Sequence, residues 1–116
     1  MITIFHNPRC GKSRDCLTFL NQSQEDVKVI NYLLHPPTFE ALSSIIKMLE
    51  IKAIELVRKK ETIWIADYKN KSLSNDEIIE AMVLHPILIE RPIVIRNGKA
   101  IIARPLEKVH AILQLI

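Results

Sequence analysis

The chain has 116 residues, with 16 Lys and Arg against 13 Asp and Glu and a formal net charge of +3. This length suits one domain spanning residues 1–116, and so mild a charge with only 5% aromatic residues excludes the basic, stacking surface of a nucleic-acid binder. No apolar run is long enough to cross a membrane and the first residues show no signal-peptide pattern, so we expect a cytoplasmic protein without a membrane partner.

The first third of the chain alternates strand and helix patterns. Apolar alternation over residues 2–5 predicts a strand, and a turn containing Pro8 follows it. A helix is then expected from about Gly11 to Asn21, and a second strand from Val27 to Asn31. A strand, helix and strand in this order favour a parallel strand pair.

The middle of the chain is predicted to be helical. Thr38 can cap a helix after the break at residues 35–37, and that helix carries apolar residues at helical spacing at Leu42, Ile45, Ile46 and Leu49. A short helix is expected to end near Arg58, followed by a solvated segment at residues 59–61. Residues 74–77 form a capping box that opens a further helix, which His85 and Pro86 end.

The last third predicts a hairpin and a helix. Apolar strands at residues 92–95 and 100–103 are joined through Asn97 and Gly98, a strong signal for a type I′ turn. A final helix is expected from Leu106 to Ile116. The whole order predicts an α/β, thioredoxin-like fold whose four-stranded mixed sheet is flanked by helices, with an inserted helical region.

Cys10 is the residue with the clearest chemical signal. It is expected where the first strand passes into the first helix, with His6, Arg9, Lys12 and Arg14 within four residues of it. A helix N-terminus and neighbouring cations lower the pKa of a thiol, and the same features attract an anion. The pattern therefore predicts a thiol enzyme that acts on an anionic substrate.

The residues around Cys10 exclude or disfavour several other kinds of thiol site. Ser13 stands where a dithiol oxidoreductase has its second cysteine, so a mixed disulfide at Cys10 needs an external thiol to resolve it. A Cys-x5-Arg phosphate loop is excluded because position 16 is cysteine, and a zinc site from His6, Cys10 and Cys16 lacks ligands. Cys16 is instead expected as a small buried residue, and no metal site is predicted.

An oxyanion substrate would need cations from elsewhere in the chain. The candidates are Arg58 near the end of the short helix, Arg91 before the hairpin and Arg104 after it. Guanidinium groups bind oxyanions through paired hydrogen bonds. Arg91 and Arg104 flank the hairpin at corresponding strand ends, and Pro92 stands where thioredoxin-like folds place a cis-proline.

The chain resembles the glutaredoxin-coupled arsenate reductases in three segments, which read HNPRCGKSR (6–14), HPILIERPIV (85–94) and ARP (103–105). The resemblance implies a thioredoxin-like fold without a tightly bound cofactor. It also implies that the Cys10 thiolate attacks arsenate and that three arginines hold the thiol–arsenate adduct. These arginines match Arg58, Arg91 and Arg104. His6 and Ser13 match the residues that tune the thiolate.

The same resemblance implies the partners. Glutathione would act as co-substrate and displace the adduct, glutaredoxin would help to resolve the product, arsenite would leave, and the protein is expected to be a monomer. Two alternatives stay open. One is a glutathione-dependent thiol-disulfide reductase of unknown substrate. The other is a redox regulator that binds RNA polymerase, but that branch characteristically has a Cys-x-x-Cys switch, and Ser13 counts against it.

Overall fold

The computed structural model describes residues 1–23 and 25–113. Its strands and helices are, in chain order, β1 Ile2–His6, α1 Gly11–Asn21, β2 Val27–Asn31, α2 Phe39–Leu49, α3 Thr62–Asp67, α4 Asn75–Leu84, β3 Ile93–Arg96, β4 Lys99–Ile102 and α5 Val109–Leu113. Short 3-10 turns occur at Ala53–Leu56, Pro86–Leu88 and Leu106–Lys108.

The four strands form one mixed sheet in the order β2-β1-β3-β4. β1 runs parallel to β2, while β3 runs antiparallel to both β1 and β4. In the register, Phe5 lies opposite Ile93, so the end of β1 lies beside the beginning of β3. The sheet thus confirms the predicted mixed topology and the parallel β1/β2 pair.

The turn between β3 and β4 follows directly from its two residues. Asn97 has φ 51° and Gly98 has φ 74°. A type I′ turn requires positive φ at both central positions, which glycine tolerates freely and asparagine tolerates better than most residues. The predicted hairpin is confirmed, although β3 begins one residue later and β4 ends one residue earlier than the apolar pattern suggests.

The residues form two compact units. The first contains Met1–His35 and the chain from Arg91 onward, and the second is Pro36–Glu90. The second unit consists of helices and short turns inserted between β2 and β3, as the sequence predicts for the helical region. The interpretation of residues 1–116 as a single domain stays a prediction.

In the first unit, α1 and α5 pack against the face of the sheet that Ile2 and Ile4 present. Cys16 and Leu20 of α1 are completely buried there, so Cys16 is the small core residue that the sequence predicts. The other members of this core are Val94, Ala103, Val109 and Ile112. This packing fixes the axis of α1 and therefore the place of its N-terminus at the end of β1.

The α5 helix is also held by the buried side chain of Arg96. Arg96, at the end of β3, forms a salt bridge with Glu25 at 2.5 Å and donates from Nη1 to the carbonyl of Leu113 at 2.9 Å. A cation is favourable at the C-terminal end of a helix because the last carbonyls carry no intrahelical partner. This contact links the hairpin to α5.

Two helices of the second unit, α2 and α4, begin where the sequence predicts. The hydroxyl of Thr38 accepts from the N–H of Ala41 at 3.1 Å at the start of α2. At the start of α4, Ser74 and Glu77 form the reciprocal hydrogen bonds of the predicted capping box. Each cap satisfies an N–H group that would otherwise lack a partner in the first helical turn.

The structure differs from the sequence prediction in three helical regions. The short helix predicted to end near Arg58 is a 3-10 turn that ends at Leu56, because Val57 is extended and bridges to Ile89. α3 was not predicted, since it has only six residues and Trp64 is its one buried residue. The last helix begins with a 3-10 turn at Leu106 and is α-helical only from Val109, and Ile116 lies outside the described residues.

Candidate active site

The segment between β1 and α1 is a tight turn. The N–H of Cys10 donates to the carbonyl of Asn7 at 3.0 Å, and the N–H of Arg9 donates to Oδ1 of Asn7 at 2.9 Å. Pro8 stands at the second position of this turn, where its fixed φ is favourable. Cys10 is extended and occupies the N-cap of α1, as its carbonyl accepts the first helical hydrogen bond from Arg14.

The sulfur of Cys10 lies among hydrogen-bond donors. Burial raises the pKa of the Cys10 thiol, but the backbone N–H of Ser13, the guanidinium of Arg91 and the backbone N–H of Lys12 together lower it below the ordinary value. The two N–H groups belong to the first turn of α1, where the partial positive charge of a helix is greatest. Cys10 therefore has more thiolate at neutral pH than an unperturbed cysteine.

The other cysteine has the opposite chemistry. Burial alone raises the pKa of Cys16 to about 11. At neutral pH this side chain is a protonated thiol inside the core of the first unit. Only Cys10 of the two thiols is therefore suited to act as a nucleophile.

His6 and Ser13 contact each other behind the turn. Nδ1 of His6 lies 2.7 Å from Oγ of Ser13, and the same Oγ accepts from the N–H of Asn7 at 3.0 Å. His6 and Ser13 are both buried. Burial and the charge of Arg14 lower the pKa of His6, so its imidazole is neutral at pH 7.

This geometry defines what the two residues can do. A neutral His6 acts by hydrogen bonding rather than by charge, and in either tautomer it completes the bond to the Ser13 hydroxyl. The Ser13 group that approaches the Cys10 sulfur is the backbone N–H. That His6 and Ser13 tune the thiolate stays a prediction; through these contacts they would do so by shaping the turn.

Two of the three predicted arginines lie in the same unit as Cys10. β1 and β3 are antiparallel, so the turn after β1 meets the residue before β3, which is why Arg91 reaches Cys10. The antiparallel β4 brings Arg104 back to the same edge, where its Nη1 lies 3.4 Å from the carbonyl of Arg91. The peptide bond between Arg91 and Pro92 is cis, as the sequence predicts.

Arg58 belongs to the second unit. Its backbone N–H donates to the carbonyl of Leu88 at 2.7 Å, which fixes the segment after the 3-10 turn. Its Nε lies 3.3 Å from Glu61, and its Nη1 lies 2.9 Å from Glu90. Its predicted role as an oxyanion ligand stays a prediction.

Asn7, Glu61 and Glu90 contact the predicted site residues or their turn, and sequence reasoning missed them. Asparagine before proline is a turn signal, because its side chain can bond to the backbone two residues on. Glu90 lies 32 positions from Arg58, so no local pattern could have joined them.

Two cavities of about 310 and 350 Å³ occur in the second unit, around Tyr68 and Trp64, and none of the predicted site residues lines them. Within residues 1–23 and 25–113, no group of three His, Cys, Asp or Glu could hold a metal ion. In the same part of the chain, no helix has both the length and the apolar character needed to cross a bilayer.

Known proteins resemble this chain over nearly all of its length. The family model described as ArsC family matches residues 5–112. An arsenate reductase of Neisseria meningitidis is 40% identical over 114 residues, covering 97% of each chain. The uncharacterized protein YfgD of Escherichia coli is 43% identical over 110 residues, which are 93% of this chain and 92% of that one. An arsenate reductase from Vibrio cholerae has a similar structure, with a TM-score of 0.91 and 38% identity over 96% of both chains. The chain belongs to the ArsC family.

Proposed function

We propose that this protein reduces arsenate to arsenite in the cytoplasm, with the Cys10 thiolate as nucleophile. The observation that carries the proposal is the position of the Cys10 sulfur, which lies at the N-terminus of α1 with the Arg91 guanidinium hydrogen-bonded to it. A nucleophilic thiolate beside a guanidinium suits an anionic substrate, because the cation binds the anion and the thiolate attacks it. The named activity of the Neisseria relative supports the choice of arsenate.

The first step forms a bond between Cys10 and arsenic. The thiolate attacks arsenic(V), one arsenate oxygen leaves as water after taking up protons, and a thiol–arsenate adduct results. No electrons are transferred to arsenic in this step. The lowered pKa of Cys10 favours it, because the thiolate rather than the thiol is the attacking form.

The second step reduces the metalloid. The thiol of glutathione attacks the Cys10 sulfur, the sulfur–arsenic bond breaks, and its electron pair leaves with arsenic as arsenite. The product on the protein is a mixed disulfide of Cys10 and glutathione. Since Ser13 replaces the second cysteine of a dithiol motif, glutaredoxin and further glutathione would release Cys10 by reducing that disulfide. Two thiols supply the two electrons that arsenic gains.

The oxyanion would be held by arginines during both steps. Arg91 and Arg104 lie at one edge of the first unit, and paired guanidinium donors suit the oxygens of arsenate. Arg58 would be the third ligand. Its pairs with Glu61 and Glu90 would orient its guanidinium, with these side chains only partly exposed.

A thiol reductase of another substrate is the second candidate. The relative YfgD carries no named activity although it is 43% identical, and a reactive monothiol could equally reduce a disulfide substrate with glutathione. A regulator that binds RNA polymerase is less favoured, because Ser13 leaves this turn without a Cys-x-x-Cys switch.

The deciding experiment measures arsenate-dependent NADPH oxidation with glutathione, glutaredoxin and glutathione reductase supplied. We expect turnover in the wild type, none in Cys10→Ser and wild-type turnover in the matched thiol control Cys16→Ala. A wild type that is inactive with arsenate but forms a mixed disulfide at Cys10 would support the thiol reductase instead. Turnover in Cys10→Ser would exclude the proposed nucleophile.

A further inference from the structure

Asn7 is a buried residue of the turn to which the sequence patterns assign no role in the reaction. It is only 5% exposed and follows directly after β1. Its side-chain Oδ1 accepts from the N–H of Arg9 at 2.9 Å, and its backbone carbonyl accepts from the N–H of Cys10 at 3.0 Å. One residue thus holds two consecutive N–H groups of the segment that leads to the nucleophile.

These two bonds determine where the Cys10 side chain begins. Cys10 has φ −98° and ψ 121°, the extended conformation of a helix N-cap, whose side chain faces the free N–H groups of the first turn. Hydrogen bonds weaken steeply as the donor angle departs from linear. If the bond between the Arg9 N–H and the Asn7 side chain is lost, Cys10 can rotate. Its sulfur would then lose its alignment with the N–H groups of Lys12 and Ser13.

We propose that Asn7 is a positioning residue for the reaction of Cys10, because its carboxamide holds the turn that keeps the sulfur at the N-terminus of α1. The proposal rests on Cys10 being the nucleophile of the proposed function. Asn7 acts through Arg9 and the backbone of Cys10, and no contact with substrate is required of it.

The chain contains a matched control for this residue. Asn31 ends β2, which pairs with β1, and its Oδ1 accepts from the N–H of Leu33 at 3.2 Å. In both places the Oδ1 of an asparagine accepts from the N–H of the residue two positions on, and Asn31 stands at the end of the neighbouring strand. Removing the Asn31 carboxamide should cost the fold a comparable bond without releasing the segment that leads to Cys10.

The test compares Asn7→Ala, Asn7→Ser and Asn31→Ala with the wild type. The rate at which iodoacetamide alkylates Cys10 is measured across pH, and urea unfolding of each variant gives its stability. At pH 7 we expect Asn7→Ala to slow alkylation about five-fold, the factor that one ordinary hydrogen bond corresponds to. Its pH profile should move to higher pH, Asn7→Ser should recover part of the rate because its hydroxyl can accept from Arg9, and Asn31→Ala should keep the wild-type profile.

Two results would overturn the proposal. One is an alkylation profile of Asn7→Ala that matches the wild type, and the other is an equal displacement in Asn31→Ala, which would show general loosening of the unit. If Asn7→Ala does not fold, Asn7→Leu decides by the same outcomes, since it fills the space without offering an acceptor. Alkylation requires no arsenate, so a wild type without arsenate turnover would overturn the proposed function and leave this comparison intact.

Discussion

The buried Ser13 hydroxyl offers a quantitative test of the structure. Its Oγ lies 2.7 Å from Nδ1 of His6 and 3.0 Å from the N–H of Asn7, and the residue is completely buried. Ser13→Ala would leave two buried polar groups without this partner, and each such loss costs about 1–3 kcal/mol. We therefore expect the free energy of unfolding to fall by about 2–6 kcal/mol.

Urea unfolding measures this loss, and Ser74→Ala provides the control. Ser74 is also a serine at the start of a helix, but it is exposed, and its hydroxyl accepts from the N–H of Glu77 at 3.2 Å. Losing such a cap costs about 1 kcal/mol. If Ser13→Ala costs no more than Ser74→Ala, the Ser13 hydroxyl does not hold β1 and α1 together, and the explanation of the His6 contact is wrong.

Three further predictions concern charge and reactivity. Burial and the charge of Arg14 lower the pKa of His6 below 6.5, so protonation of its imidazole favours the unfolded chain. The contribution of His6 to the free energy of unfolding should therefore be fully present above pH 6.5 and decrease as the pH falls below it. His6→Asn should flatten this decrease when urea unfolding is measured across pH. Arg91→Lys should reduce arsenate turnover strongly, since lysine lacks the paired donors, while iodoacetamide still labels Cys10; unchanged turnover would exclude Arg91 as an oxyanion ligand. With its pKa raised to about 11, Cys16 should stay unlabelled in the native protein at pH 7, and mass spectrometry showing equal labelling of both cysteines would contradict the burial of Cys16.

Local patterns predicted the elements whose ends have a chemical signal. α1 begins and ends at the predicted Gly11 and Asn21, and β2 has its predicted bounds. The hairpin turn needed only Asn97 and Gly98, whose backbone preferences agree with a type I′ turn. In these places the conformational preference of each residue agrees with the fold, so the neighbouring residues alone are enough to predict the element.

Prediction failed where tertiary packing outweighs local preference. α3 begins at Thr62 after Glu61, which forms no side-chain cap, and its single buried residue Trp64 leaves no apolar stripe to detect. α2 ends at Leu49, and Glu50 after it is in the left-handed region at φ 57°, where glycine would have been the expected signal. The start of α3 and the end of α2 depend on tertiary packing, so the residues next to them in sequence cannot predict them.

The candidate site also has one part that local sequence predicts and one part that depends on tertiary packing. The part of the Cys10 environment made by its own helix follows from sequence, because any residue at a helix N-cap faces the N–H groups two and three positions on. The part supplied by Arg91 depends on a strand pairing between distant segments, in which Phe5 lies opposite Ile93. A shift of this register by one residue would turn the apolar side chains of β3 to the other face, so the core contact of Val94 sets the pairing. The hydrophobic pattern of β3 therefore determines not only the fold of the first unit but also whether a guanidinium reaches the thiolate, and sequence alone could reveal Arg91 only as a candidate.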